Sequence, residues 1–210
     1  MKKTLLLIAL FISLTSCSQS NISEFVEYKI TGFGSIKIPP TMELRTEKTT
    51  KILSALSILI ETDLIKFSKE GIVFQQKGFN DRFKTNKYAR IMIKAEEEDN
   101  SFMQKMLLNL SEKDLRELNK MFKDDELSEY ESYGIKIKKW YPVYVKKVNG
   151  KNSLVKRYVR ESAGIIKNDV YVEEYLFGSN KKVFYITLTY RMNEGWDEDF
   201  KKIGSTIKID

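Results

Sequence analysis

Asn149-Gly150 stands between two apolar-rich runs, Val143 to Val148 and Ser153 to Glu161, and no other short signal in the chain restricts its fold as strongly. A two-residue type I′ turn needs positive φ at both central positions, which Asn-Gly supplies, so the two runs return antiparallel. From Ile135 to Met192 the chain reads as strand throughout, and a second hairpin joins Asp169 to Phe177 with Lys182 to Met192 through Gly178-Ser179-Asn180. In the last of these strands Phe184, Ile186, Leu188 and Tyr190 share one face, while Tyr185, Thr187, Thr189 and Arg191 take the other, as in half-exposed antiparallel sheet.

The amino-terminal half alternates between strand and helix. Glu24 to Thr31 and Ser35 to Ile38 read as an opening hairpin around Gly32-Phe33-Gly34, stopped by Pro39-Pro40, and Met42 to Arg45 extends again. Over Lys51 to Phe67 the residues Ile52, Leu56, Leu59, Ile60 and Leu64 recur at helical spacing, which predicts a helix. Ile72 to Gln76 and Ala89 to Ala95 read as strands. Ser101 with Gln104 and Ser111 with Asp114 have capping-box spacing, Leu110 and Leu115 suit a hydrophobic staple, and two helices are expected there. The second should present Leu115, Leu118, Met121 and Phe122 as one apolar face, with Lys113, Glu117, Lys120 and Asp124 towards water. A short helix over Gly195 to Ile203 carries Trp196, Phe200 and Ile203 on one side, with Gly204 just past its end and Thr206 to Ile209 as a closing strand. The expected architecture is α+β, an antiparallel sheet with helices packed on it.

Composition removes several chemistries. The 210 residues include no histidine and one cysteine, Cys17, which excludes Ser-His-Asp and Cys-His catalysis and removes the commonest zinc ligand. No disulfide can form within the chain, so burial of aliphatic and aromatic side chains must hold it together. There is no nucleophile elbow, phosphate loop, dinucleotide fingerprint or calcium loop. The run Glu96 to Asp99 reads as a solvated strand end, and no cofactor is expected. Glu173 and Glu174 are adjacent on a strand, so they point to opposite faces and cannot serve together as a glycosidase pair, although other carboxylate pairs stay open.

The first residues carry an address. Lys2 and Lys3, the apolar run Leu5 to Leu14 and Leu14-Thr15-Ser16-Cys17 resemble a secretory signal ending in a bacterial lipobox. The apolar run is shorter than the roughly 17 to 25 residues that span a bilayer. That resemblance implies a signal peptide over residues 1–16, acylation of Cys17, a lipidated tether over 17–23 and one globular domain over 24–210. An ordinary cleaved signal that leaves Cys17 as a free thiol, and a buried amino-terminal helix, are the competing readings. The implied location is the bacterial cell envelope, lipid-anchored, on the outer membrane facing the periplasm if the organism is Gram-negative.

The net charge of +7 is unevenly placed, since Tyr133 to Met192 holds 13 basic residues against 4 acidic ones. Either this stretch meets an anionic partner, or a Lys-rich composition, 29 Lys against 7 Arg, merely solvates exposed strand faces. Within it Trp140, Tyr144, Lys146, Lys147, Lys156, Arg157 and Tyr158 mix aromatic and cationic side chains, and they form the candidate interaction surface for an envelope protein or anionic lipid head groups. The expected compartment argues against nucleic acid.

An early strand ending in Ile38-Pro39-Pro40, two mid-chain helices, a long antiparallel meander ending in Ile186-Thr187-Leu188-Thr189-Tyr190-Arg191, then a Trp196 helix and a terminal strand together resemble the PsbP-like (DcrB-like) fold group, which includes small bacterial lipoproteins. The resemblance covers about Phe25 to Ile209. It implies an α/β/α layering and a non-catalytic binding or assembly module; a small envelope hydrolase using carboxylates is the alternative.

Overall fold

The computed structural model describes residues 22–45, 64–65, 71–80, 87–97, 102–162, 168–179 and 181–210. Cys17, the signal peptide, Ser101, Asn180 and nearly all of the helix expected over Lys51 to Phe67 lie outside the described residues. A single 3-10 turn at Ile22–Glu24 leads into strands β1 (Val26–Ile30), β2 (Gly34–Ile38), β3 (Met42–Leu44), β4 (Leu64–Ile65), β5 (Ile72–Gln76) and β6 (Ala89–Glu97). Helices α1 (Phe102–Asn109) and α2 (Glu112–Ser132) follow. The meander is β7 (Ile137–Val148), β8 (Lys151–Glu161), β9 (Asp169–Ser179) and β10 (Lys182–Arg191); helix α3 (Asp197–Thr206) and β11 (Lys208–Ile209) close the chain.

The larger sheet runs β3-β5-β6-β10-β9-β8-β7 with every described pair antiparallel. Asn149 and Gly150 take φ of 45° and 88°, the conformation that the β7–β8 turn demands. The smaller sheet runs β11-β2-β1-β4. At Leu64 and Ile65, the two described residues of the expected helix, the expectation is corrected: they pair parallel to Lys29 and Ile30 and extend a sheet edge. Apolar spacing alone does not separate a short buried strand from a helix segment, and here the open edge of β1 supplies the backbone partners.

The two sheets face each other across the main core. Ile30, Phe33, Ile36 and Ile38 meet Phe74, Ile91, Phe184 and Ile186, with Phe33 and Phe184 edge to face at 5.5 Å between ring centroids. Trp196, Phe200 and Ile203 of the α3 segment enter the same core, as the sequence predicts. Gly204 does not end α3. It lies inside the helix because a Cβ there would come within 2.5 Å of the Tyr175 hydroxyl, so close packing rather than chain termination requires glycine.

On the opposite face of the large sheet α1 and α2 cover β7 to β9. Ser111 and Asp114 cap α2 reciprocally: the Asp114 amide donates to Ser111 Oγ at 3.2 Å, and the Ser111 amide donates to Asp114 Oδ2 at 2.9 Å. Helix α2 has no fully buried residue; Leu115, Leu118 and Phe122 rest half-buried against Leu107, Val143, Leu154 and Leu176. Met121, expected on that face, is 48% exposed and lines an open groove of about 680 Å³ between the helices with Phe102, Met106 and Leu118. A residue one step before Phe122 is turned by about 100° around the helix axis, which carries it off the sheet.

Candidate binding site

The period of two along a strand divides the expected surface between two faces. Along β8, Leu154, Lys156 and Tyr158 point towards the helices, while Val155 and Arg157 point away. Tyr158 (2% exposed) and Lys156 (6%) are therefore buried and offer no surface, which corrects the sequence reading. The Lys156 ammonium pairs with Glu126 of α2 and, at 3.1 Å, with Glu174 of β9. Tyr158 donates to Glu126 Oε2 at 3.1 Å and shares a 3.0 Å hydroxyl contact with Tyr130. Trp140 stacks on Tyr158 at 5.5 Å and donates its indole N–H to Asn119 Oδ1 at 2.9 Å. Lys147 remains exposed near the hairpin tip, on the helix side.

Tyr144, Lys146 and Arg157 occupy the other face, where the sheet register adds four residues. Tyr141 lies opposite Arg157, Arg157 opposite Glu173, and Tyr144 in line with Val155 and Tyr175. Tyr171 completes the group at a ring distance of 6.5 Å from Tyr141. The Arg157 guanidinium sits over Tyr144 at 4.7 Å and Tyr141 at 5.3 Å, a geometry in which a planar cation meets the negative ring faces. Lys146 Nζ lies 5.3 Å from the Tyr175 ring centre and donates to its hydroxyl at 3.4 Å; that hydroxyl donates to Glu173 Oε1 at 3.1 Å. Helix α3 forms the neighbouring wall, since Gly204 abuts Tyr175 and Phe200 packs on Tyr190 at 4.8 Å.

This shelf is electrostatically unusual. Burial pushes the Glu173 carboxyl above the ordinary glutamate range, against the hydrogen bond from Tyr175 and the charges of Lys146 and Arg157, which pull it down. No cation lies within ion-pair distance of Glu173 among the described residues. Burial also raises the phenols of Tyr144, Tyr171 and Tyr175, so all three are neutral hydrogen-bonding groups at physiological pH. Glu173 and Glu174 do point to opposite faces, as their adjacency predicts. Sequence reasoning did not assemble Glu173, Tyr171 and Tyr175 into a site. Their spacing at i, i+2 and i+4 was visible, but placing them beside Arg157 needs the β8–β9 register. The groups acting on Glu173 are Tyr175, Lys146 and Arg157, with no second carboxylate among them. Among the described residues no cluster of acidic, histidine or cysteine side chains is arranged to hold a metal.

No protein-family model matches this chain, and no curated protein matches it in sequence. Among solved structures it is similar to the solution structure of cyanobacterial PsbP (CyanoP) from Synechocystis sp. PCC 6803, with a TM-score of 0.50 and 13% identity over 94% of this chain and 99% of that one. The fold is PsbP-like. Two further structures are similar at lower scores. One is from Bacteroides thetaiotaomicron VPI-5482 (TM-score 0.42, 10% identity, 91% of this chain and 47% of that one). The other is LpqN of Mycobacterium tuberculosis, a protein involved in cell envelope biogenesis (TM-score 0.41, 10% identity, 82% and 78%). A PsbP-like scaffold fixes where the meander and its two faces lie; the roles of Tyr144, Arg157 and Glu173 follow from the chemistry of this chain's own side chains.

Proposed function

We propose that this chain is an exported lipoprotein, anchored through acylated Cys17, that acts as a non-catalytic binding or assembly module at the cell envelope. The observation that carries the binding part is the tyrosine face itself. Arg157 and Lys146 stand among Tyr141, Tyr144 and Tyr171 on the side of β7 to β9 away from α1 and α2, and Tyr and Arg are the residues most enriched where proteins make contact. The anchor rests on the lipobox-like run before Cys17, and the PsbP-like fold is consistent with an assembly module. A carboxylate hydrolase gains support from Glu173, whose raised pKa suits a general acid. It needs a second carboxylate facing the first, and among the described residues none acts on Glu173.

The test is crosslinking of the lipidated protein in its own envelope, followed by capture. Tyr144→Ala with Arg157→Glu should remove the captured partner while Lys113→Gln, on the outer side of α2, leaves it in place. Capture that survives the double substitution would sink the assignment of this face. Cys17→Ala should move the protein out of the membrane fraction and abolish palmitate labelling.

A further inference from the structure

The shelf around Glu173 specifies more than contact. Glu173 Oε1 receives the Tyr175 hydroxyl, and among the described residues its second carboxylate oxygen has no protein partner. Lys146 uses one proton on Tyr175 and has two more to give. The Arg157 guanidinium lies over the Tyr144 and Tyr141 rings and beside the Tyr171 hydroxyl, where its charge rather than its buried Nε meets a ligand. Spare acceptor and spare donors thus lie side by side on consecutive strands, between aromatic walls.

Ligand classes can be separated by what they would do to these groups. An anion would meet the Glu173 charge, and a simple cation would meet Lys146 and Arg157. An apolar ligand would desolvate a carboxylate and a guanidinium without replacing their water, which is costly for charged groups. A hydroxyl group both donates and accepts and carries no charge. A ring bearing adjacent hydroxyls can therefore donate to Glu173, accept from Lys146 and Arg157, and lay its C–H face on tyrosine.

We propose that the shelf formed by Tyr141, Tyr144, Lys146, Arg157, Tyr171 and Glu173 binds a carbohydrate. The proposal rests on the reading of this face as the binding face and names its ligand class: a neutral saccharide, one ring of which seats on Glu173 while the next lies along the tyrosines. The proposal is for binding without cleavage; among the described residues no second carboxylate acts on Glu173.

Saturation-transfer NMR on the purified mature chain, with N-acetylglucosamine tetrasaccharide and maltotetraose as probes and the dipeptide Ala-Ala as a zwitterionic control, tests this directly. At least one saccharide should show transfer, and Glu173→Gln and Tyr144→Ala should each weaken it about tenfold or more, which corresponds to roughly 1.4 kcal/mol. Tyr141→Ser, at the rim, keeps the test valid if Tyr144→Ala unfolds. No transfer from either saccharide, transfer unaffected by these substitutions, or dipeptide binding in its place would each overturn the proposal. If saccharides fail while crosslinked capture still depends on Tyr144 and Arg157, the ligand class is wrong and the binding face stands; if both fail, the face itself is wrong.

Discussion

Lys156 and Arg157 are neighbours in sequence and end on opposite sides of one sheet, the ammonium sealed between Glu126 and Glu174 beneath α2, the guanidinium laid against Tyr144 and Tyr141. One charge is sealed inside the fold and the other lies on the proposed binding face. Substitutions at the two positions should therefore fail in different ways.

Lys156→Ala should destabilise the fold by about 3–5 kcal/mol, because it leaves Glu126 and Glu174 buried and uncompensated. The pH dependence has a definite sign. Burial alone would lower the Lys156 pKa, but its two carboxylates hold it above its ordinary value, so its contribution is complete below the unfolded lysine pKa and is lost as pH rises through the folded one. Tyr158 and Tyr130, whose phenols burial pushes up, lose stability in the same direction. Urea melts should show stability falling above about pH 10, and less so in Lys156→Ala.

Glu173→Gln should stabilise the protein at neutral pH. A carboxyl whose folded pKa is raised by burial costs stability once ionised, and glutamine removes that charge while keeping an acceptor for Tyr175. The gain should shrink as pH falls through the folded glutamate pKa, where wild-type Glu173 takes up its own proton. A neutral-pH melt in which Glu173→Gln is less stable than wild type would contradict this.

Asn119 holds α2 to the edge of the sheet, since its Oδ1 accepts both the Trp140 indole N–H and, at 3.0 Å, the Val143 amide. Asn119→Ala should cost about 1–3 kcal/mol per donor left unpaired. Asn119→Asp keeps the acceptor and should recover much of the loss. Tryptophan emission in equilibrium unfolding, compared with and without Trp196→Phe, reads both stability and the Trp140 environment.

Gly204→Ala should cost about 1–3 kcal/mol through overpacking against Tyr175. The penalty should drop in a Tyr175→Phe background, where the hydroxyl that lies 2.5 Å from the added carbon is gone. A double-mutant cycle on melting free energies measures the coupling, and additive effects would show that the clash is relieved elsewhere.

Legibility in the sequence followed the range of the interaction. The Asn149-Gly150 turn, the Ser111–Asp114 cap and the apolar side of α3 depend on contacts a few residues apart, and the structure places them as the sequence predicts. Lys156 and Tyr158 read as surface because a charge and a phenol in a basic run resemble one. Their burial depends on Glu126, about 30 residues earlier in the chain, which no local pattern announces. The β4 pairing and the role of Gly204 were hidden for the same reason. The basic excess has a partly structural account too: β7 is an edge strand, and Lys138, Lys139, Lys147 and Pro142 are residue types that discourage a second strand from joining it.

The small sheet has a mechanical consequence. Force applied to the chain ahead of Ile22 enters at β1, whose ladder to β2 runs from Val26–Ile38 to Ile30–Gly34, and β2 is bridged in turn by β11 at the opposite end of the sequence. The Asp210 carbonyl is fastened to the large sheet by Ser179 at 2.7 Å, so a tug on the leading end is shared with the trailing one before it can reach the tyrosine shelf.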